Sequence, residues 1–363
     1  MRNLKLDESC IAKSEISNGT AGSCRRPSNW RFRISDLRCR IRPISKFLFL
    51  FLLTTAVAYS QQNQSAPINV LKVQGNLYML VGAGGNIAVQ INNDGVLMVD
   101  TGTAQMTDQV IATVKELAKP VTNKPLRYII NTHFHADHTG GNLKARAAGT
   151  TITGGNVAGN IQDASEGAAI YAHENVMKRM SAPTGAEAPT PSGGWPTDTY
   201  FGDSQELFFN GEAIQIFHPK SAHTDGDSIV FFRRSDVVLT GDIFTTTNYP
   251  IIDLQNGGSI NGVIDALNFI MDITIPAEKQ EGGTMVIPGH GRLCDEADVV
   301  EYRDMVTIIR DRVQDMIKKG MTLEQVKAAK PTRDYDPLYG STTGPWTSDM
   351  FVEAVFKSLS TKK

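Results

Sequence analysis

Cysteine is scarce and unevenly placed. Three of the four, Cys10, Cys24 and Cys39, sit near the N-terminus, which leaves Cys294 alone in the rest of the chain. A lone thiol cannot close an internal disulfide, so the body of the protein needs no oxidising compartment, although it tolerates one. Long apolar runs are lacking too. The run FLFLFLLTTAVA at 47–58 has 12 residues, too few to span a bilayer as a helix. Positive charge is short wherever the chain is expected to fold: residues 61–363 carry 25 Lys+Arg against 34 Asp+Glu, whereas residues 1–60 carry 11 against 4. An acidic body repels phosphate backbones, which excludes nucleic acid as a natural partner. Internal repeats and low-complexity tracts are also missing. With 41% hydrophobic and 20% charged residues in 363, the composition excludes disordered, collagen-like and polytopic membrane classes and allows one large domain or two modest ones.

The basic stretch ending at Arg40, Arg42 and Lys46, the apolar run and the small residues Ala56-Val57-Ala58 have the three parts of a secretory signal. Residues 1–60 are therefore expected to be a leader that is removed, with the mature protein periplasmic or secreted. The 46 residues ahead of the apolar run exceed the usual length of such a signal, about 15–30 residues in all. The translation start is thus downstream of Met1, or the basic region is unusually long.

Short apolar runs separated by turn residues begin at Asn69: VLKVQG, LYMLVG, NIAVQI and GVLMVD, the last introduced by the hairpin signal Asp94-Gly95. A helical pattern covers 104–119 and stops at Pro120. LRYIIN (126–131) is continuous enough for a strand buried on both faces. Short helices are expected over 139–148 and 172–180, no regular element over 149–169, and a long loop over 182–196. Strands resume at 206–210, 212–219, 228–233 and 237–241. A helix follows over 259–273, then a strand over 284–288. Helices are expected over 297–319, over 322–329 with a capping box from Thr322 to Gln325, and over 347–359. This order predicts an α/β protein with two mixed β-sheets and helices outside them. It divides into a domain over 61–295 and a C-terminal helical extension over 296–363.

Five of the seven histidines fall in three places. His133-Phe134-His135-Ala136-Asp137-His138 directly follows the strand at 126–131. In extended backbone His133 and His135 point the same way, and Asp137 and His138 come at the next turn, so one hexapeptide offers two pairs of ligands. His223 precedes the strand at 228–233, His290 follows the strand at 284–288, and Asp242 follows the strand at 237–241. Neutral imidazole with carboxylate suits zinc, with iron or manganese also possible.

This ordered set resembles the metallo-β-lactamase superfamily, whose signature is HxHxDH followed by a His, an Asp or Cys, and a His. The resemblance covers roughly residues 70–295. It implies an αββα sandwich and two Zn2+ ions, one held by His133, His135 and His223, the other by Asp137, His138 and His290, with Asp242 bridging. It further implies that a metal-bridging hydroxide attacks a small-molecule carbonyl in a β-lactam, thioester or lactone, and that Asp137 is catalytic, orienting the nucleophile or passing its proton to the leaving group. Asp242 stands where the best-known β-lactamases of this group carry Cys or Ser, so this chain looks more like glyoxalase II and lactonases. His135 stands where flavodiiron oxidoreductases carry Glu, which disfavours oxygen reduction. The C-terminal tail is similar to that of secreted cyclase-like hydrolases. Two rivals are a sulfur dioxygenase built on the same ligands and a non-catalytic metal-binding periplasmic module.

Weaker candidates surround this set. Lys220 and Arg292 flank His223 and His290 and are placed to hold a substrate carboxylate. Trp195 and Tyr249 lie in loops that could wall the pocket. Asp227 could orient a ligand histidine, Cys294 is expected to be an inert buried thiol, and His173 and His218 are expected to be structural.

Overall fold

The computed structural model describes residues 67–151, 167–182 and 190–360. The expected leader at 1–60, most of the Gly- and Ala-rich stretch and part of the loop at 182–196 lie outside the described residues. No helix among the described residues is long and apolar enough to cross a membrane.

Seven strands form the first sheet, in sequence order: Asn69–Lys72 (β1), Leu77–Val81 (β2), Ile87–Asn92 (β3), Gly95–Val99 (β4), Leu126–Ile130 (β5), Ala169–His173 (β6) and Asp198–Tyr200 (β7). The first three pairings are antiparallel and the last three parallel. The second sheet holds Ser204–Phe209 (β8), Glu212–Phe217 (β9), Ile229–Phe232 (β10), Val237–Leu239 (β11) and Met285–Ile287 (β12), in the order β12-β11-β10-β9-β8, with only β11 and β12 parallel. The chain therefore carries the two expected mixed sheets. Two strands are additions to the sequence reading. β6 is short, rich in small residues and runs straight into a helix, so it lacks a turn signal. β7 has only three residues.

The helices are Thr107–Ala118 (α1), Ala136–Thr139 (α2), Asn142–Ala147 (α3), Glu174–Ser181 (α4), Ile260–Ile273 (α5), Glu296–Lys318 (α6), Leu323–Ala329 (α7), Asp336–Tyr339 (α8) and Ser348–Ser360 (α9). Local chemistry sets several of their starts. The Ser259 side chain accepts the Gly262 N–H at the start of α5, and Thr322 and Gln325 form the expected reciprocal capping box on α7. The expected helix over 139–148 is divided between α2 and α3, with Gly140 and Gly141 between them.

Three apolar layers hold the sandwich together. Leu77, Met79, Leu97 and Ile130 of the first sheet meet Ile214, Ile216, Val230 and Phe232 of the second. Outside the first sheet, Val89, Met98 and Ile129 pack on Val110 and Val114 of α1. Outside the second, Phe231, Val238 and Val286 pack on α5, α6 and α9 through Leu267, Ile270, Tyr302, Met305 and Val355. This gives the αββα sandwich. The C-terminal helices supply its outer layer on one side, so their apolar faces share one core with the second sheet.

Candidate metal centre

The candidate ligands collect at strand ends on one edge of the sandwich. His133 and His135 lie in the loop after β5, and Asp137 and His138 ride on α2. His223 lies between β9 and β10, Asp242 in the tight turn after β11, and His290 after β12. Ends of parallel strands are rigid supports that point side chains into a shared crevice. Glycines let these segments approach. A Cβ on Gly289 would collide with the Asp242 carboxylate, and one on Gly85 with the His138 ring.

Two groups converge: His133, His135, His223 and Asp242, and Asp137, His138, His290 and Asp242, with one ligand atom from each residue lying within 4.8 Å of the others in its group. Asp242 belongs to both. Its Oδ2 lies 3.8 Å from His133 Nε2 and 3.9 Å from His223 Nε2, while its Oδ1 lies 3.0 Å from His138 Nε2 and 3.4 Å from His290 Nε2. His223 Nε2 is 2.9 Å from His135 Nδ1, and His290 Nε2 is 3.1 Å from Asp137 Oδ2. His133, His138 and His223 are almost wholly buried, whereas Asp137 and His290 keep 37% and 31% of their side chains exposed and face the opening.

The far nitrogens of four rings are tied elsewhere, which fixes where the near ones point. His138 Nδ1–H donates to Asp100 Oδ2 at 2.7 Å. His133 Nδ1–H donates to Thr132 Oγ1 at 3.1 Å, and that hydroxyl donates to the same Asp100 carboxylate at 2.7 Å. His223 Nδ1–H donates to the Ile251 carbonyl at 2.7 Å, and His135 Nε2–H to Asp253 Oδ2 at 3.1 Å. These arrangements leave His133 Nε2 and Asp242 Oδ1 buried without a hydrogen-bond partner. Buried orphans of this kind are costly unless something else satisfies them. A cation is what an imidazole lone pair and a carboxylate oxygen aimed at the same space would satisfy, so the residues present fit a metal.

Within the cluster the charges of the side chains compensate one another. Burial alone would raise the Asp242 carboxyl, but the charge of His138, 3.0 Å away, holds it well below the usual carboxylate range. Burial and the neighbouring His138 push the His133 imidazole well below its ordinary value. For Asp137 burial is again outweighed, here by the hydrogen bond from His290, and its carboxyl stays low.

The weaker candidates sit away from this constellation. Tyr249 is buried in the core, stacked on Phe351 at 4.7 Å, with its hydroxyl on Thr332 O and Asp336 Oδ1. It therefore walls no pocket directly, because its loop folds inward under α9. Arg292 is engaged in a bidentate pair with Asp298 at the start of α6, and Lys220 pairs with Asp203 at 2.9 Å. Neither cation reaches the histidines. Trp195 packs on the buried cluster of Ala172, Val176 and Met180, and its indole N–H donates to Thr190 O. Asp227 touches no ligand ring. It caps the loop bearing His223 by accepting from Thr224 N and Thr224 Oγ1. Cys294 is buried, and that burial pushes its thiol up to about 12, as an inert thiol should be. His173 and His218 stack on each other at 3.6 Å, outside the cluster.

Sequence reasoning missed Asp100, Thr132 and Asp253. Asp100 carried a signal, an acid ending a wholly apolar strand. Asp253 carried none.

A family model described as the metallo-beta-lactamase superfamily matches residues 80–290. Among curated proteins, the chain is similar to a linear primary-alkylsulfatase from Pseudomonas sp., at 24% identity over 276 residues. That match covers 67% of this chain and 50% of the relative, so the chain spans about half the length of the curated protein it matches. Among solved structures it is similar to a stereoselective inverting sec-alkylsulfatase from Pseudomonas sp., with a TM-score of 0.52 and 14% identity, covering 80% of this chain and 50% of that one. It is also similar to a metallo-beta-lactamase from Pontibacter korlensis, with a TM-score of 0.48 and 15% identity, covering 66% and 99%.

Proposed function

The chain belongs to the metallo-beta-lactamase superfamily, and we propose that it is a binuclear metal-dependent hydrolase of small-molecule esters or amides. The observation that carries this reading is the pair of buried orphans, His133 Nε2 and Asp242 Oδ1, inside a cage of five imidazoles and two carboxylates. His133, His135 and His223 would hold one cation and Asp137, His138 and His290 the other, with Asp242 shared between them. Zinc suits this donor set best, with iron or manganese as substitutes. Bound cations of this kind lower the pKa of a shared water towards neutrality and polarise the scissile group.

The chain's own residues do the rest. Asp100 and Asp253 lock the imidazole orientations, so the donor set needs little reorganisation. Asp137 faces the opening with its carboxylate ionised. It is placed to accept a proton from the attacking water and deliver it to the leaving group. The substrate reading favoured by the ligand pattern is a carbonyl compound: a β-lactam, thioester or lactone. A second reading, a sulfate ester, is supported by the alkylsulfatase relative. The apolar run at 47–58 supports export to the periplasm or beyond.

Metal analysis together with hydrolysis of nitrocefin, an acyl-glutathione, an acyl-homoserine lactone and an alkyl sulfate tests the proposal. Two metals per chain and chelator-sensitive turnover of one substrate class are expected. A metal-loaded protein inert towards all four would overturn it.

A further inference from the structure

A groove of about 600 Å³ runs from His135 along the C-terminal helix. One wall is the segment carrying Ile251 and Leu254. The other is Trp346 with Met350 and Ala354 of α9. Its volume is in the usual range for a small-molecule site. Its inner end is formed by His135 and by Asp253, the carboxylate that holds that ring, so the groove abuts the candidate metal centre. Its lining is mixed, with Asp253, Gln255, Glu353 and Lys357 beside the apolar side chains, and Met350 on its rim is 42% exposed. Exposed apolar groups lining a groove mark binding surfaces, and methionine adapts to unbranched apolar ligands of varied length. The wall is also anchored. The opposite face of α9 buries Phe351, Val352 and Val355 in the core, with Phe351 stacked on Tyr249. Tyr249 thus shapes the pocket through the helix it holds. At the outer end the Glu353 carboxylate is paired with both Lys327 and Lys357, at 2.5 Å and 2.6 Å.

We propose that this groove receives an unbranched apolar chain attached to the scissile ester, and that Met350 and Trp346 set a preference for long chains. The inference rests on the hydrolase reading for the position of the ester, but the groove can be tested without turnover. Sodium alkylsulfonates, butyl through dodecyl, cannot be hydrolysed and can be titrated calorimetrically below micelle-forming concentrations, using the purified metal-loaded protein. Affinity is expected to rise about two- to fourfold per added methylene, as it does when each methylene is removed from water. Met350→Asp should flatten that dependence and Met350→Leu should keep it. Phe201→Ser, at an exposed aromatic outside the groove lining, should leave it unaltered. A wild-type affinity independent of chain length, or a dependence untouched by Met350→Asp, would overturn the groove even if short esters are hydrolysed. A chain-length dependence lost in Met350→Asp would support the groove even if no ester in the panel is turned over, and the fault would then lie with the hydrolase reading alone.

Discussion

The protein contains two groups of packed histidines, and they differ in what their nitrogens do. In the pair His173 and His218 the rings lie nearly parallel, 9° apart and 3.6 Å between centroids. His218 Nδ1–H donates to the Asp227 carbonyl, and His173 Nδ1 accepts from the backbone N–H of Asn175 as the cap of α4. No carboxylate stands between the rings. In the other group, five rings meet mostly edge to face, each turning one nitrogen inward towards the same carboxylate or its neighbour. Histidine density alone therefore does not make a metal site. Outward nitrogens tied to fixed acceptors and inward lone pairs left unsatisfied do.

The largest expected effect separates the two groups outright. His133→Ala or Asp242→Ala should remove at least one bound metal per chain and lower hydrolysis by more than about a hundredfold, beyond the cost of losing an outer partner. His218→Gln should leave metal content at the wild-type value. Elemental analysis of the purified proteins reads both, and loss of metal from the His218 variant would erase the distinction drawn here.

Next in size is the carboxylate that ties two ligand rings. Asp100 accepts from His138 and, through Thr132, from His133. Asp100→Asn should cost about ten- to a hundredfold in metal affinity, read by competition with a chelating dye, while the fold is retained. Asp253→Asn should cost less. It serves one ring, His135, and the amide oxygen can still accept from Nε2–H. Equal losses in the two variants would show that the count of tied rings is not what matters.

These residues also mark how far the sequence could be read. The hexapeptide was legible because its ligands lie next to one another and a strand end fixes their directions. His223, Asp242 and His290 were legible through their order and their places beside strands. Asp100 lies 38 residues from His138 and becomes its partner only through the parallel pairing of β4 with β5, whose register sets Val99 against Ile130. That pairing is a tertiary event with no local trace. The same holds for the groove, since Met350 and Leu254 meet across almost a hundred positions. Strand β6 was hidden for a different reason. Its alanines carry little strand propensity, and its pairing between β5 and β7 makes it a strand.

The smallest effect belongs to the structural pair and takes the form of a pH dependence. Burial, and then the adjoining His218 ring, push His173 down to about 4, with Lys178 adding to that shift and Glu174 and Asp225 opposing it. An unfolded histidine takes its proton near 6.5. Above that pH neither state binds the proton, so His173 contributes no pH dependence. As the pH falls from about 6.5 towards about 4, the unfolded chain gains a proton that the folded one refuses, and stability drops by at most about 1.4 kcal/mol per pH unit. Below about 4 both states are protonated and the loss is complete. Other carboxyls and histidines of the unfolded chain take up protons over the same range, so the useful quantity is a difference: denaturant midpoints of the wild type minus those of His173→Gln, measured from pH 7 to pH 4. That difference should move against the wild type as the solution is acidified. A difference that stays constant with pH would mean that the stacked pair already shares a proton in the folded state, and that the two groups of histidines are more alike than their geometry indicates.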